Sequence, residues 1–544
     1  MHRKTEGCFS NRYRLTGALT TRTPLHVGDG DRLRVRARDT AIPLPPLRPD
    51  AENPDPLYNA FVTGADAAGA DPVIVIPGST LKGVLRAWLR RRGAPPDLVA
   101  AVFGFEDNGN GNKGHGGKAE FHDAPLQAEA SGNHAYRWWD TQRRTCLAPG
   151  VALDPRTRTA RDKLLYYTEY APQGSTFAVT VTAQNLEPAE RNLLRAAFTQ
   201  GFGDPHDPVR VGAGTADDWG RMSWNQTACA IIEPPDVKTW LDNGAAQPYT
   251  AIFRQDTTPL TPLALTRPDP SPSLRLDVRQ LFRGAVLVND PSQERRRAAA
   301  AGEEGIALAT VRRKDGAHIL PSSSVRGALR AQARRIWQTR AHATNGYLQS
   351  ATPPEAKRGG DEKGLPAFYR MLGAPGWRSP ISVPDFELVG DPQAHAHTQE
   401  FVAVDRFTGG TARGKKFSAE CLYAPEFRAT ISVDLGRWQG RDQAVNPTLD
   451  PIVGGWALLL LLFLLRDLRE GDIQVGSGAS KGYGACDARI EVACSGAIPR
   501  AYGGARLAEL FRGALNRDPA ALADTLLVEW AGQLDAVLAD RQPL

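Results

Sequence analysis

The sequence predicts an α+β protein made of one domain written twice and followed by a short helical tail, and three observations carry that prediction. The first is an internal repeat: IPGSTLKGVLRAWLRRR at Ile76–Arg92 recurs as LPSSSVRGALRAQARRI at Leu320–Ile336. The second is that further matches keep the same order. VFG (102–104), FHDAPL (121–126), LDPRTRTARDKLLYYTEYAP (153–172) and VRVGAGTADDWGRM (209–222) are answered by MLG (371–373), VPDFEL (383–388), VDRFTGGTARGKKFSAECLYAP (404–425) and IQVGSGASKGYGAC (473–486). The third is that each copy mixes signals: a short apolar run, VIVI (73–76) or HIL (318–320), passes through proline into a helical pattern.

The domain plan follows from these landmarks. The first domain is expected over 1–246 and the second over 274–498. Between them, 247–273 holds Pro248, Pro259, Pro262, Pro268, Pro270 and Pro272, a density that regular helices and central strands reject, so it is expected to be a linker. From 499 to 544 leucines recur at three- and four-residue spacing, which predicts a helical extension.

Composition narrows the function classes. The 544 residues carry 66 Lys+Arg against 60 Asp+Glu, a net charge of +6 that suits a polyanionic partner without requiring one. Cysteines 8, 146, 229, 421, 486 and 494 contain no Cys-x-x-Cys pair, so no structural zinc or disulfide framework is expected, only buried thiols in a reducing compartment. The N-terminus has no apolar signal run, and Trp456–Leu465, WALLLLLFLL, is too short to span a bilayer. A cytoplasmic protein with a buried helix there, and no membrane partner, is expected.

Ser79 or Thr80 in the first copy, and Ser323 or Ser324 in the second, are natural helix N-caps. Lys82, Arg86 and Arg90 stand four residues apart, as do Arg326, Arg330 and Arg334, so each trio lines one helix face. Leu81, Leu85 and Trp88, or Val325 and Leu329, fall on the opposite, buried face. Helix-start groups at Gly78, Ser79 and Thr80, or Ser322 and Ser323, beside a basic stripe and Gly83 or Gly327, suit a docking phosphate. A merely solvated basic face is the alternative, and recurrence in both copies favours the phosphate.

The glycine-rich segments are Gly212, Gly214 and Gly220 with Arg221, and Gly476, Gly478, Gly482 and Gly484 with Lys481. They are not a dinucleotide fingerprint, because strand, glycines and helix come in the wrong order, and no Walker lysine motif exists. Matched glycines point to close backbone approach, a flexible hairpin being the alternative. His115 and His122, near Asp107 and Asp123, and also His395 and His397, are expected in loops and not at a metal.

The set of H-V-G at His26–Gly28, P-G-S-T-L-K-G-V-L-R, L-D-P-x-T-x-T-A and a final G-x-G-x-x-x-x-x-G resembles the backbone subunits of CRISPR type III effector complexes, of the RAMP superfamily, across both halves. The resemblance implies two ferredoxin-like (RRM-like) domains with thumb-hairpin insertions. It implies that His26, the basic helix and the glycine loop face a guide RNA (crRNA), and that thumbs over Asp154–Tyr170 and Asp405–Tyr423 wedge into the duplex with a complementary target RNA. Arg156, Arg161, Arg406 and Arg413 are then candidate RNA contacts, and Tyr166 and Tyr167 suit stacking. Other type III effector subunits are the implied protein partners.

The resemblance also implies endoribonuclease cleavage of the target through a loop Asp and a divalent metal, Mg2+ or Mn2+, with no organic cofactor. Asp39 is the choice for both catalysis and metal binding, with Asp31 and Asp29 as competitors. The second copy, EEGIALATVRRKDG from Glu303, has no Asp in the matching place, so one cutting module and one binding module are expected. The rivals are a non-catalytic RNA-binding scaffold and a metal-independent guide-processing endoribonuclease.

Overall fold

The computed structural model describes residues 9–34, 57–65, 72–106, 114–128, 138–140, 143–153, 160–205, 207–265, 272–289, 307–309, 316–345, 367–374, 377–439 and 453–539. In the first module the chain runs β1 (Arg12–Thr21), α1 (Gly78–Arg91), β2 (Ala119–Phe121), β3 (Ala124–Ala128), β4 (Thr176–Gln184), α2 (Pro188–Gly203) and β5 (Met222–Ile232). β1 lies between β4 and β5, antiparallel to both, and β2 and β3 pair with the outer side of β4. The second module repeats this as β6 (Ser273–Phe282), α3 (Ser322–Asn345), β7 (Ile381–Ser382), β8 (Phe386–Val389), β9 (Glu426–Asp434), α4 (Gly455–Glu470) and β10 (Cys486–Ser495). β6 again sits between β9 and β10, with β7 and β8 beyond β9. With the short pairs β2–β3 and β7–β8 each taken as one interrupted strand, this is the β-α-β-β-α-β order of the ferredoxin-like fold, first strand central, present twice.

The local reasons are in the residue pattern. β1 buries alternate residues, among them Tyr13, Leu15 and Leu19, because strand side chains alternate between faces. α1 buries Leu81, Leu85, Trp88 and Leu89 at helical spacing. α2 opens with Pro188 at its first position and a capping box, in which Glu187 and Glu190 each take the other's backbone amide. α4 is buried on nearly every side, from Trp456 to Leu468, because it lies between the sheet and the C-terminal extension. That extension, α5 (Leu507–Leu515) and α6 (Thr525–Ala539), forms a third layer on the second module. Trp530 of α6 sits so close to Gly455 that a Cβ there would lie 2.0 Å from the indole.

Each module also carries an inserted sheet. In the first, Ala160–Tyr170 pairs with Thr145–Leu153 on one side and runs parallel to Leu57–Phe61 on the other, with Gly28–Arg34 beyond. In the second, Thr411–Tyr423 pairs with Ala396–Val404 and runs parallel to Ala307–Ala309. His397 thus lies in a strand, a correction to the loop expected there, because its pairing with Cys421 extends the hairpin.

The proline-rich segment is strapped to the first module over 247–265, and its end, Pro272 and Ser273, joins the second, where the Pro272 carbonyl accepts the Leu435 amide at 2.8 Å. Asn192 of α2 donates to the Thr261 carbonyl (2.8 Å) and accepts its amide (2.9 Å), and Arg195 donates to the Thr258 carbonyl at 2.6 Å. Leu263 and Leu265 pack on the first core. The five described cysteines are free thiols, four of them buried. Among the described residues no helix is long and apolar enough to cross a membrane.

Candidate nucleic-acid interface

The two helix starts share a device that residue spacing alone did not show. Both helices begin directly after proline, and no serine or threonine hydroxyl caps α1; its N-cap is Pro77. The expected caps, Ser79 or Thr80 and Ser323 or Ser324, are thereby corrected. Instead a carboxylate arrives from the residue just ahead of a sheet strand: the Gly78 amide donates to Asp123 Oδ1 at 2.8 Å, and the Ser322 amide to Asp385 Oδ1 at 2.7 Å. Asp123 and Asp385 occupy the same position in FHDAPL and VPDFEL. The first free amide of each helix, where a phosphate was expected, is therefore held by the protein's own anion. Gly78 must be glycine there, since a Cβ would come 2.0 Å from the Phe121 carbonyl oxygen.

The glycine loops match bond for bond. Ala213 and Ser477 amides donate to the carbonyls of His26 and Leu287, at 2.8 and 2.7 Å. Gly220 and Gly484 donate to Pro24 and Ala285, both at 2.8 Å. Gly212, Gly214, Gly220, Gly476, Gly478, Gly482 and Gly484 all have positive φ. What their backbone approaches is the chain itself: a Cβ on Gly212 would meet the His26 oxygen at 2.1 Å, and one on Gly484 the Val475 oxygen at 2.2 Å. These glycines hold a rigid loop, not a flexible hairpin.

His26 is corrected from a surface contact to an internal brace. Its ring is 7 % exposed, stands edge-on to Phe61, and bonds through Nδ1 to the Glu169 carbonyl at 2.6 Å. Glu169, itself buried, accepts from Arg143, Thr145 and the Phe61 amide and so ties together three strands of the inserted sheet.

The two basic stripes have different fates. Arg326 pairs with Asp217 of the first module at 2.8 Å, and Arg330 donates to the carbonyls of Leu372 and Gly373. Burial pushes the Arg330 pKa below its ordinary value, with Arg326 and Arg334 adding repulsion. Both arginines therefore serve packing. On α1, Lys82 and Arg86 are half-buried and Arg90 is exposed, and none forms an ion pair among the described residues. Ser79, Gly83, Ser323 and Gly327 are exposed, with open space around both glycines; Thr80 and Arg334 are half-buried. Arg221 is tied to Asp218 at 3.4 Å, and Lys481 lies 4.3 Å from the Phe401 ring centre.

The second thumb is a long hairpin whose tip is fixed by Asp405. Its Oδ1 accepts the amides of Phe407 and Thr408, both at 2.9 Å, which holds its pKa below the usual carboxylate value. Phe407 is fully exposed at that tip beside exposed Arg406. Arg161 and Arg413 lie in the thumb strands Ala160–Tyr170 and Thr411–Tyr423; Arg156 lies outside the described residues. So does Asp39, while Asp29 and Asp31 fall in the strand Gly28–Arg34. No group of three or more potential metal ligands occurs among the described residues.

The modules meet through the first glycine loop. The Val383 amide donates to the Ala216 carbonyl (2.9 Å), Arg378 to the Thr215 hydroxyl (3.1 Å), and Arg326 to Asp217. Tyr166 stands beside this junction, its pKa raised by burial and by the Asp217 charge.

No curated protein matches the chain. The RAMP superfamily family model matches it twice, over residues 18–223 and 206–487, so that both modules are covered. Two ferredoxin-like modules with matched loops, each under such a match, mean that this chain belongs to the RAMP superfamily, whose members are CRISPR-associated RNA-binding proteins.

Proposed function

We propose that the chain is a guide-RNA-binding backbone subunit of a type III CRISPR effector complex in the cytoplasm, and that its first module also cleaves the paired target RNA. The observation that supports this reading is the basic face of α1. Lys82, Arg86 and Arg90 keep their charge unspent by any described carboxylate, whereas Arg326 and Arg330 on α3 are drawn into packing. Unpaired cations four residues apart can track successive phosphates of a single strand. The exposed Phe407 at a fixed hairpin tip supplies a face for a base. Cleavage is assigned to Asp39 of the first module with Mg2+ or Mn2+, within a complex that also holds the target RNA and other effector subunits.

Binding of the co-purified guide, measured against salt, tests the reading. Arg86→Ala with Arg90→Ala should weaken binding and lower the slope of log K against log salt by about 0.7 for each phosphate no longer neutralised. An unchanged slope returns the stripe to a solvated face. Asp39→Ala in the assembled complex should abolish cutting of target RNA in Mg2+ while guide binding persists. Cutting that continues makes the chain a non-catalytic scaffold.

A further inference from the structure

The outer face of the second module's sheet is striped with charge. On β6 the residues turned away from α3 and α4 are Arg275, Asp277, Arg279 and Leu281, alternating with buried Leu274, Leu276, Val278 and Gln280. The pairing register carries the pattern sideways. Arg279 stands directly opposite Arg428 of β9 and Arg489 of β10, so three arginines share one row across the sheet. In the row before it Asp277 stands opposite Glu491, and in the row after it Leu281 lies between Glu426 and Asp487. Basic and acidic rows therefore alternate every two residues, or about 6.8 Å.

Folding does not ask for these stripes, since like charges directly opposite one another destabilise a sheet. In the first module the row that matches the three arginines is Ala178, Ala18 and Asn225, uncharged on the same fold. Nor does the chain use up the charge. Arg428, Arg489 and Glu491 are exposed, and their side chains have no partner among the described residues. Arg279 meets Glu426 at 3.6 Å with 56 % of its side chain still exposed.

Stripes of alternating sign are complementary to themselves. A second copy turned over about a two-fold axis in the face, along the rows and between residues 277 and 279, lays each strand across its own equivalent, as an isologous contact requires. Arg279 then lies over Asp277 of the second copy and Arg489 over Glu491, each contact occurring twice. We propose that this face pairs two copies of the RNA-free chain through these reciprocal ion pairs. A polyanion is the poorer occupant, because the acidic rows on either side of the arginines repel it. Exposed ion pairs each contribute little, so the pairing is weak and salt-sensitive. It uses neither the α1 stripe nor the glycine loops, and it goes beyond the RNA-binding reading without resting on it.

Sedimentation velocity of the full-length, RNA-free protein over a concentration series, at low and at high salt, tests it. The natural chain should form dimers at low salt, and raising the salt to screen exposed charges should weaken them about tenfold. Arg279→Asp sets acid over acid and Asp277→Arg sets base over base, so each alone should weaken pairing about tenfold or more. The two single variants mixed together should pair again, because each supplies the charge that the other lacks. A chain carrying both R279D and D277R should recover as well, its rows exchanged but still complementary. The proposal is overturned if the natural chain stays monomeric throughout, if its association ignores salt, if the single variants associate as it does, or if their mixture does not pair. Arg489→Glu and Glu491→Arg repeat the scheme on β10 should circular dichroism show a β6 variant misfolded. Because no RNA is present, either result leaves the guide-binding reading untouched.

Discussion

Asp123 and Asp385 show how a single carboxylate can look functional and be architectural. A negative group at a helix start satisfies an orphan amide and meets the positive end of the helix dipole. In these two modules that group arrives from the residue just ahead of a sheet strand, 45 and 63 residues along the chain. Asp123→Ala and Asp385→Ala should each lower stability by about 1 kcal/mol, in the range for loss of a helix cap, with Asn recovering part of it. Denaturant midpoints at unchanged slope would show it, and a midpoint equal to that of the natural chain would deny the cap. Spacing could not reveal these caps, nor Glu169, whose Arg143 and Phe61 partners lie 26 and 108 residues away. Local pattern reports which side chains share a helix face and says nothing of what a distant strand lays across it. The resemblance set His26 against the RNA, and the structure makes it a brace, bonded to the Glu169 carbonyl 143 residues away.

At the level of the element, the hairpin Ala396–Val404 and Thr411–Tyr423 has a stiff end. Asp405 fixes the turn through two backbone amides, so Phe407 is displayed by a preorganised tip and not by a loose loop. Its full exposure means that folding gains nothing from the ring. Phe407→Ala should therefore leave thermal stability unchanged while weakening RNA binding by about 1–3 kcal/mol, the value of one base stacked on an aromatic ring. Equal weakening with Phe407→Leu would show that an aromatic face, not bulk, is what the tip provides; no weakening in either removes the tip from the interface. The elements themselves were legible in the sequence wherever period and punctuation agreed. The apolar run at Trp456 marked a buried helix, and the paired landmarks gave two copies of one fold. The inserted sheets were legible only as thumbs, because their parallel partners Leu57–Phe61 and Ala307–Ala309 are short strands far from the hairpins in sequence.

Across the whole molecule, the basic stripes were plain in the sequence, but which of them stays available is decided by the junction. Arg326 and Arg330 stand one turn apart on α3 with Arg334 beyond, and Asp217 is the acid that the first module lends to this row. Removing Asp217 leaves the row un-neutralised, whereas removing Arg326 also relieves its repulsion with Arg330. Asp217→Ala should accordingly cost more stability than Arg326→Ala, and the two together should cost less than their sum. The coupling should be about 1 kcal/mol, the upper end for a partly exposed pair, since both side chains keep about a quarter of their surface open. A double-mutant cycle in denaturant measures it directly. Additivity within about 0.3 kcal/mol would mean that the Val383 and Arg378 contacts hold the modules together alone. A real coupling would mean that the register of the two modules, and with it the placement of α1 relative to α3, is set by charge.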